Sequence, residues 1–337
     1  MTIAHIFTGS FGAGKTTAIR WLMSQKPDHE LWVVILNEFT DAGIDALSVA
    51  ESARGSFDVR LVAGGCLCCV GQLEFGKQLR EILRTLKPTR LLIEPSGAGH
   101  AADIVDELAA YEAQRALVLD SVVCLVDALD ASRILHTREA GEWSQIQSAD
   151  VLLMSKPDLA APSDGQAFHA IAAEQYPAKR YLGVCHGGIL PPEAMLSYSR
   201  GAGFSLVNED QKASPPIALE FTLAGLAGSE IQSNQLGLWA VGWVLPRELT
   251  FSRVVIEPRL DWLLEAYGTW LRRFKAVFRT GPGPSWLIQG RGRGVRGEDS
   301  AYRRDSRLEI VLGVKPTENL LEAWRSMLRD AALRPRY

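Results

Sequence analysis

The chain has 337 residues, of which 47% are hydrophobic, and this is enough material for two domains with separate cores. Its formal net charge of −3 provides no overall attraction to nucleic acid or to anionic lipid, so we expect neither as a partner. The sequence has no apolar run long enough to span a bilayer and no basic, then apolar leader after Met1. We therefore expect a cytoplasmic protein without a membrane segment.

The first half of the chain alternates short apolar runs with stretches of helical periodicity. This alternation predicts an α/β domain built on a mostly parallel sheet. Ligands of such sheets bind beyond the carboxyl ends of the strands, so the polar motifs that follow these strands would gather at one edge. The predicted strands are residues 3–7, 31–36, 59–62, 90–93, 122–126 and 151–154.

A glycine-rich loop follows the first predicted strand. Residues 9–16 read Gly-Ser-Phe-Gly-Ala-Gly-Lys-Thr and fit the phosphate-binding template G-x-x-x-x-G-K-[ST]. Lys15 would reach the β- and γ-phosphates of a nucleotide, and the hydroxyl of Thr16 would bind Mg²⁺. A glycine-rich turn that binds nothing is the alternative, and the strand before the loop and the helix after it argue against that alternative. The small residues whose backbone N–H groups would turn toward phosphate oxygens are Gly9, Gly12, Ala13 and Gly14.

The fourth predicted strand ends in a carboxylate, Glu94, which is followed by Pro-Ser-Gly. Beside a phosphate loop, Glu94 would hold Mg²⁺ directly or through water, or would position the attacking water. The N–H group of Gly97 would sense the terminal phosphate. A simple acidic residue at a strand end is the alternative, because an isolated E-x-x-G motif is weak evidence.

The sixth predicted strand leads into Ser155, Lys156, Pro157 and Asp158. A carboxylate at Asp158 can accept two hydrogen bonds from the N1–H group and the exocyclic amine of guanine, whereas adenine offers no such pair. This favours GTP if Asp158 lines the base pocket. A helix cap at a turn is the alternative role for Asp158.

Three of the five cysteines lie in one hexapeptide, Gly-Gly-Cys-Leu-Cys-Cys, which ends at Cys69. Thiolates favour Zn²⁺ or Cu(I) over Mg²⁺, and the two glycines allow the sharp turn by which Cys66, Cys68 and Cys69 would share one ion. Three structural thiols in a turn are the alternative. The candidates for a further ligand are Glu38, Asp41, His100, His136 and water.

Between residues 185 and 216 the pattern breaks into glycine, proline and serine, and we predict a linker there. The linker would separate a first domain at 1–184 from a smaller α+β domain at 217–337. Residues 290–304 are rich in arginine and glycine but also contain acidic residues, which favours a solvated loop over a nucleic-acid patch. The predicted strands of the second domain are residues 217–223, 237–245, 253–256, 276–279, 285–289 and 307–312, and its helices lie near 260–273 and 317–332.

Together these motifs resemble the CobW-type metallochaperone GTPases in order and in spacing. The cysteine hexapeptide is the most specific of them, and residues 93–100 and 239–245 are more similar to the YeiR-like branch of zinc-binding GTPases. The resemblance covers nearly the whole chain and is weakest between residues 185 and 216. Its motifs are Gly9-x4-Gly14-Lys15-Thr16-Thr17, Asn37-Glu38-Phe39, Gly64-Gly65-Cys66-Leu67-Cys68-Cys69, Glu94-Pro95-Ser96-Gly97 and Ser155-Lys156-Pro157-Asp158.

The resemblance implies a P-loop GTPase domain followed by a smaller CobW C-terminal-like domain. It also implies hydrolysis of GTP to GDP and phosphate, coupled to delivery of a transition metal, often zinc, to a client metalloprotein. The cofactors implied are GTP, Mg²⁺ and Zn²⁺. The residues carried over are Lys15 and Thr16 at the phosphates and Mg²⁺, Glu94 in the second motif, Lys156 and Asp158 at the base, and Glu38, Cys66, Cys68 and Cys69 as candidate ligands of the metal. Thr17, Gly97, Ser155 and Asp41 are further candidates at the same sites.

Three departures from the family pattern stand out. Ser155 replaces an asparagine, so the chain loses a side-chain amide that would bond to guanine or tether the phosphate loop, and guanine selectivity is expected to relax. Asp41 replaces a glutamate, which keeps the carboxylate but shortens its reach. The predicted linker has no histidine-rich tract, because the six histidines are scattered along the chain.

Two other classes of protein compete with the metallochaperone interpretation. One is an ATP-using P-loop enzyme such as a kinase or a ligase, against which Asp158 and the cysteine cluster both argue. The other is a zinc-sensing or redox-sensing nucleotide switch that transfers no metal. The sequence is also compatible with a homo-oligomer.

Overall fold

The architecture was obtained from a computed structural model. It describes residues 1–36, 49–51, 57–61, 70–95, 101–195, 217–223, 226–235, 237–291 and 294–333. The described residues up to 195 form one compact unit, and those from 217 onward form a second unit, to which residues 176–178 also belong. In the part of the chain that is described, no helix combines the length and the apolar character needed to cross a bilayer.

Seven described strands of the first unit form one parallel sheet. They are β1 (Thr2–Thr8), β2 (Trp32–Leu36), β3 (Phe57–Leu61), β4 (Arg90–Glu94), β5 (Leu117–Asp127), β6 (Val151–Ser155) and β7 (Tyr181–Cys185). Their order across the sheet is β3-β2-β4-β1-β5-β6-β7, which places β1 at the centre between β4 and β5. Because all seven strands run in the same direction, their carboxyl ends share one edge.

Helices cover both faces of this sheet, as the apolar strands require. They are α1 (Lys15–Gln25), α2 (Val70–Glu81), α3 (Ala101–Ala113), α4 (Ala131–Thr137), α5 (Ala140–Ser148) and α6 (Pro162–Glu174). Side chains of α1 pack with Leu92 and Leu125 on one face, and side chains of α2 to α6 pack with Leu91 and Ile93 on the other. This alternation along a strand is the period of two expected for a sheet that is buried on both faces. The predicted α/β fold is confirmed.

The seventh strand, β7, was not predicted from the sequence. It lies at the edge of the sheet, and Leu182 and Val184 are 39% and 37% exposed, so the strand presents only a weak apolar pattern. The glycine in the middle of β7 weakens the pattern further.

The predicted linker begins too early. Cys185 ends β7, and Leu190 and Ala194 are buried in the core beside α1, so the described residues 185–195 belong to the first unit. One of the glycines that suggested a break, Gly188, is required here for close packing. A Cβ atom at Gly188 would lie 2.7 Å from Cγ2 of Thr17, at the start of α1.

The second unit is an antiparallel sheet with helices, and the predicted α+β class is confirmed. Seven described strands follow the order β14-β13-β12-β15-β10-β9-β8, and β11 pairs separately with β16. The strands are β8 (Ile217–Leu223), β9 (Leu226–Gln235), β10 (Leu238–Leu245), β11 (Thr250–Phe251), β12 (Leu271–Phe278), β13 (Ser285–Arg291), β14 (Gly294–Ser300), β15 (Ser306–Leu312) and β16 (Ala332–Leu333). The helices are α7 (Arg253–Tyr267) and α8 (Glu318–Ala331), whose apolar side chains pack on one face of the sheet.

Two predictions for the second unit are wrong. Residues 253–256, predicted as a strand, begin helix α7, where Ile256 is buried and Val254 is 82% exposed. The run of β-branched residues suggested a strand, but tertiary packing selects one helical face. Residues 294–300, predicted as part of a loop, form β14 and pair with β13 at the edge of the sheet. Charged residues are common on such edge strands, because they discourage pairing with other chains.

Candidate functional site

The phosphate loop predicted from the sequence connects the central strand β1 to helix α1. Gly9, Gly12 and Gly14 have φ angles of +135°, +75° and +93°, which side chains rarely allow. These glycines turn the chain sharply, so that the loop ends at the amino-terminal end of α1. Backbone N–H groups at such an end favour anions, and phosphate is the anion that this kind of loop fits.

Gly9 illustrates how tightly the loop is packed. A Cβ atom at this position would lie 2.3 Å from the carbonyl oxygen of Leu125 in β5. We expect Gly9→Ala to lower the free energy of unfolding by about 3 kcal/mol, because both the backbone conformation and the contact become strained. Chemical denaturation measures this change.

Gly141 provides the matched control for Gly9→Ala. It lies in helix α5, and a Cβ atom there would have no neighbour within 4 Å. Gly141→Ala should therefore leave stability unchanged or raise it by about 0.5–1 kcal/mol, because alanine is the better helix former. Equal stability of the two variants would contradict the packing argument for Gly9.

The ammonium group of Lys15 lies inside the loop. Its Nζ donates hydrogen bonds to the carbonyl oxygens of Gly9 and Ser10, at 2.9 and 3.0 Å, and the residue is 6% exposed. The positive charge is therefore held at the concave side of the loop by two backbone carbonyls. An anion bound in the loop would meet this charge directly.

Thr16 and Glu94 come together, as the carboxyl ends of neighbouring parallel strands predict. Oγ1 of Thr16 lies 3.0 Å from each of the two carboxylate oxygens of Glu94 at the end of β4. A hydroxyl beside a carboxylate is a set of hard oxygen donors, which is the set that Mg²⁺ prefers. The two side chains therefore fit a magnesium ion next to the phosphate loop.

In the motif predicted to bind the nucleobase, Lys156 adopts a left-handed conformation with φ of 52°, and its Nζ contacts Oδ2 of Asp127 at 2.5 Å. Asp158 follows in a short 3₁₀ turn, where it is exposed. Ser155 is buried, and its hydroxyl donates to the carbonyl oxygen of Val126 at 3.4 Å. Asp127 was not predicted as a site residue, although its position directly after the apolar run of β5 is a signal that could have found it.

Helix α5 also contacts the phosphate loop, and no motif in the sequence predicts this contact. Oε1 of Gln145 accepts hydrogen bonds from the N–H group of Gly9, at 2.6 Å, and from the hydroxyl of Thr8, at 2.9 Å. The hydroxyl of Ser10 donates to Oε1 of Glu142 at 2.6 Å. Three consecutive residues at the start of the loop are therefore held by one helix.

Glu142 is in turn oriented by Arg133 of α4. The guanidinium group donates to both carboxylate oxygens, at 2.7 and 2.8 Å. Hydrogen bonds from Arg133 are the main cause of a lowered pKa of Glu142; partial burial opposes this effect, and the bond from Ser10 adds to it. Glu142 is therefore a charged acceptor for the loop at neutral pH.

Several predicted site residues lie outside the described residues: Gly97, Glu38, Asp41, Cys66, Cys68, Cys69 and His100. Strands β2, β3 and β4 directly precede the parts of the sequence that contain these residues. Strands β2 and β3 end at Leu36 and Leu61, at the same sheet edge as Thr8 and Glu94. Among the described residues, no group of three or more His, Cys, Asp or Glu side chains could hold a metal ion. His136 lies exposed in α4, with Nδ1 2.6 Å from the carbonyl oxygen of Ser132.

The central strand, the glycine loop, the buried lysine and the Thr16–Glu94 pair define a P-loop nucleotide-binding domain. A sequence model of the family described as "CobW/HypB/UreG, nucleotide-binding domain" matches residues 3–182. The chain belongs to this family, and the resemblance stated from its motifs is confirmed.

Two curated relatives and one solved structure illustrate the similarity. The chain is 29% identical to the zinc chaperone YeiR of Escherichia coli (strain K12), with 98% of this chain and 99% of the relative covered. It is 30% identical to the zinc chaperone YjiA of the same organism over 166 residues, which cover 47% of this chain and 50% of the relative. The crystal structure of Zn(II)-bound YjiA GTPase from E. coli covers 97% of this chain and 98% of that chain, at 18% identity and a TM-score of 0.45.

Proposed function

We propose that this protein is a zinc-binding GTPase that hydrolyses GTP to GDP and phosphate and couples this reaction to delivery of zinc to a client metalloprotein. One observation carries the proposal. The phosphate loop, the Thr16–Glu94 pair and the strand ends that lead into Glu38 and the cysteine hexapeptide share one edge of the parallel sheet. Relatives named as zinc chaperones support the choice of metal.

In the nucleotide half of the site, each group has a separate task. The loop N–H groups and Lys15 bind the phosphates, and Thr16 with Glu94 holds Mg²⁺. When bound there, Mg²⁺ would neutralise the negative charge that develops on the phosphates. Glu94 also orients the attacking water, and the N–H group of Gly97 contacts the terminal phosphate. Asp158 accepts hydrogen bonds from guanine.

In the metal half of the site, zinc is the cargo of the protein. Cys66, Cys68 and Cys69 bind it as thiolates, with Glu38 or Asp41 as a further ligand. A coordination shell that the protein does not complete suits transfer, because a thiolate of the client can enter the open position. Zinc is then handed over by ligand exchange.

The two halves are coupled through the loops that follow β2 and β4. Binding of GTP would change the zinc affinity of the cysteine site through the segments that carry Glu38 and Gly97. This coupling must be reciprocal: if GTP changes the zinc affinity by some factor, zinc changes the GTP affinity by the same factor. Titration of a non-hydrolysable GTP analogue with and without zinc measures that factor, and identical curves would exclude the coupling.

The second unit is the proposed place of client contact. The described residues of the first unit extend to 195, and we propose that the second domain starts at 217. We propose that the protein acts in the cytoplasm, where a reducing environment keeps the three thiols available for metal.

The metal content of the purified protein tests the proposal. Mass spectrometry of protein prepared without chelator should find about one zinc per chain, and Cys66→Ala, Cys68→Ala and Cys69→Ala should each lose it. Cys124→Ala is the matched control, because burial raises the pKa of the Cys124 thiol to about 12 and keeps it protonated. The control variant should bind zinc like the native chain.

Each other outcome favours a different class of protein. No zinc under zinc-replete conditions would leave the redox-sensing nucleotide switch as the better proposal. Preferential displacement of a bound guanine nucleotide by ATP would instead favour an ATP-using P-loop enzyme. Undetectable hydrolysis with zinc and client present would remove the catalytic part of the proposal.

A further inference from the structure

Two donors at the start of the phosphate loop converge on one amide oxygen. Oε1 of Gln145 accepts from the backbone N–H group of Gly9 and from the hydroxyl of Thr8, and Gln145 is only 1% exposed. A buried N–H group that lost this acceptor would be left without compensation for its removal from water. The loop therefore depends on an acceptor that comes from helix α5, outside the loop itself.

Gln145 contacts the same residue, Gly9, that binds the ammonium group of Lys15. The N–H group of Gly9 binds Gln145, while the carbonyl oxygens of Gly9 and Ser10 bind the ammonium group of Lys15. Gln145 thereby fixes the peptide unit that precedes the Lys15 contacts. A shift of this peptide would move the carbonyls, and with them the positive charge.

Helix α5 is itself held at both ends, so it can act as a rigid support. Near its start, Glu142 receives two hydrogen bonds from Arg133 and one from Ser10. At its end, Nζ of Lys179 donates to the carbonyl oxygens of Ile146 and Ala149, at 2.5 and 2.8 Å. A cation at the carboxyl end of a helix satisfies carbonyls that have no partner within the helix.

The motif predicted to bind the nucleobase, residues 155–158, does not hold the phosphate loop in the way that Gln145 does. Ser155 has no side-chain amide, and its hydroxyl donates to Val126 in the neighbouring strand. The amide at the phosphate loop comes from Gln145 instead. The two positions lie on different elements, β6 and α5, so the chain carries a loop support that is separate from its base contacts.

We propose that Gln145 is a positioning residue for nucleotide binding: through Gly9 it sets the loop conformation in which Lys15 meets the phosphates. This inference rests on the proposed function, since it presumes that the loop binds a nucleoside phosphate. It assigns a role in nucleotide affinity to a residue in a helix that follows the phosphate loop by more than a hundred positions.

Binding measurements on Gln145→Leu test this role. Leucine has a similar size but no acceptor, and we expect the Kd values for GDP and for a non-hydrolysable GTP analogue to rise about ten-fold. Calorimetry should be run at a temperature at which circular dichroism shows the variant to be folded. The KM for GTP should rise in parallel, while kcat changes less, because the chemistry at Glu94 is not touched.

Two further variants separate positioning from stability. Ile146→Val is the control: it removes a buried methyl group from the same helix, so it lowers the melting temperature, but it should leave both Kd values within about two-fold. Gln145→Asn withdraws the amide by one methylene group and keeps the residue polar. It should also weaken binding, and it serves as the test variant if Gln145→Leu does not fold.

The possible results distinguish this inference from the proposed function. A native chain that binds neither nucleotide would overturn the proposed function and this inference together. A native chain that binds both nucleotides, beside a folded Gln145 variant that binds them equally well, would overturn this inference alone. A Kd that rises for the Gln145 variants and not for Ile146→Val supports it.

Discussion

Replacement of Lys15 by methionine is expected to lower kcat/KM for GTP hydrolysis about a thousand-fold. Methionine fills much of the same volume but carries no charge, so the two carbonyls of Gly9 and Ser10 lose their donor and the phosphates lose their cation. The charge sits in a 6% exposed position, where electrostatic interactions are less screened than in water. Steady-state release of phosphate, together with a direct measurement of GTP affinity, checks both parts of this expectation.

Lys77 provides the matched control for Lys15→Met. Its side chain is 71% exposed on α2, and its Nζ is 3.8 Å from Glu74 one helical turn away. Lys77→Met removes the same charge from the protein as a whole but leaves the loop intact, so activity should stay within about two-fold of the native value. A Lys15→Met variant that remained as active as Lys77→Met would contradict the assignment of Lys15 to the phosphates.

Glu94→Gln is expected to lower kcat about a hundred-fold while the affinity for GDP measured without Mg²⁺ changes little. In the native chain, the hydroxyl of Thr16 lies 3.0 Å from each carboxylate oxygen of Glu94. The amide oxygen of a glutamine at this position could still accept a hydrogen bond from Thr16. It cannot supply the negative charge that we propose holds Mg²⁺ or orients the attacking water. The separation of an unchanged binding step from a slower chemical step therefore identifies the role of the charge.

Two measurements make the Glu94 prediction sharper. The Mg²⁺ concentration that gives half-maximal activity should rise for Glu94→Gln, because the ion loses a charged partner. Glu74→Gln is the control, since this exposed carboxylate contacts only Lys77 among the described ion pairs and should leave both values unchanged. A fall in kcat without any change in the Mg²⁺ requirement would assign Glu94 to the water and not to the metal.

The periodicity of the sequence predicted the parallel sheet well. Six of its strands were located from runs of apolar residues, and the ends of five of them lie within two residues of the prediction; β5 begins five residues earlier than predicted. Two edge strands, β7 and β14, were not predicted, because they are partly exposed and carry glycine or charged residues. Residues 253–256 show the opposite error: their β-branched composition favours a strand, but packing of Ile256 against the second core selects a helix.

The phosphate loop shows what the sequence determined by itself. Its three glycines, Lys15 and Thr16 all lie within residues 9–16, so their spacing along the chain predicts the loop conformation that the structure shows. The meeting of Thr16 with Glu94 also followed from the sequence, because carboxyl ends of parallel strands share an edge. Local geometry and strand polarity were sufficient in both cases.

The support of the loop was decided only by the tertiary structure. Gln145 and Gly9 lie 136 positions apart, and a single buried amide in an amphipathic helix has no periodic signal that would distinguish it from a surface glutamine. In the same way, nothing in the sequence distinguishes Gly188 from a linker residue, and only the fold brings its backbone close to Thr17. Such contacts depend on how folded helices and loops pack against one another, and this packing cannot be predicted from composition or from the spacing of residues.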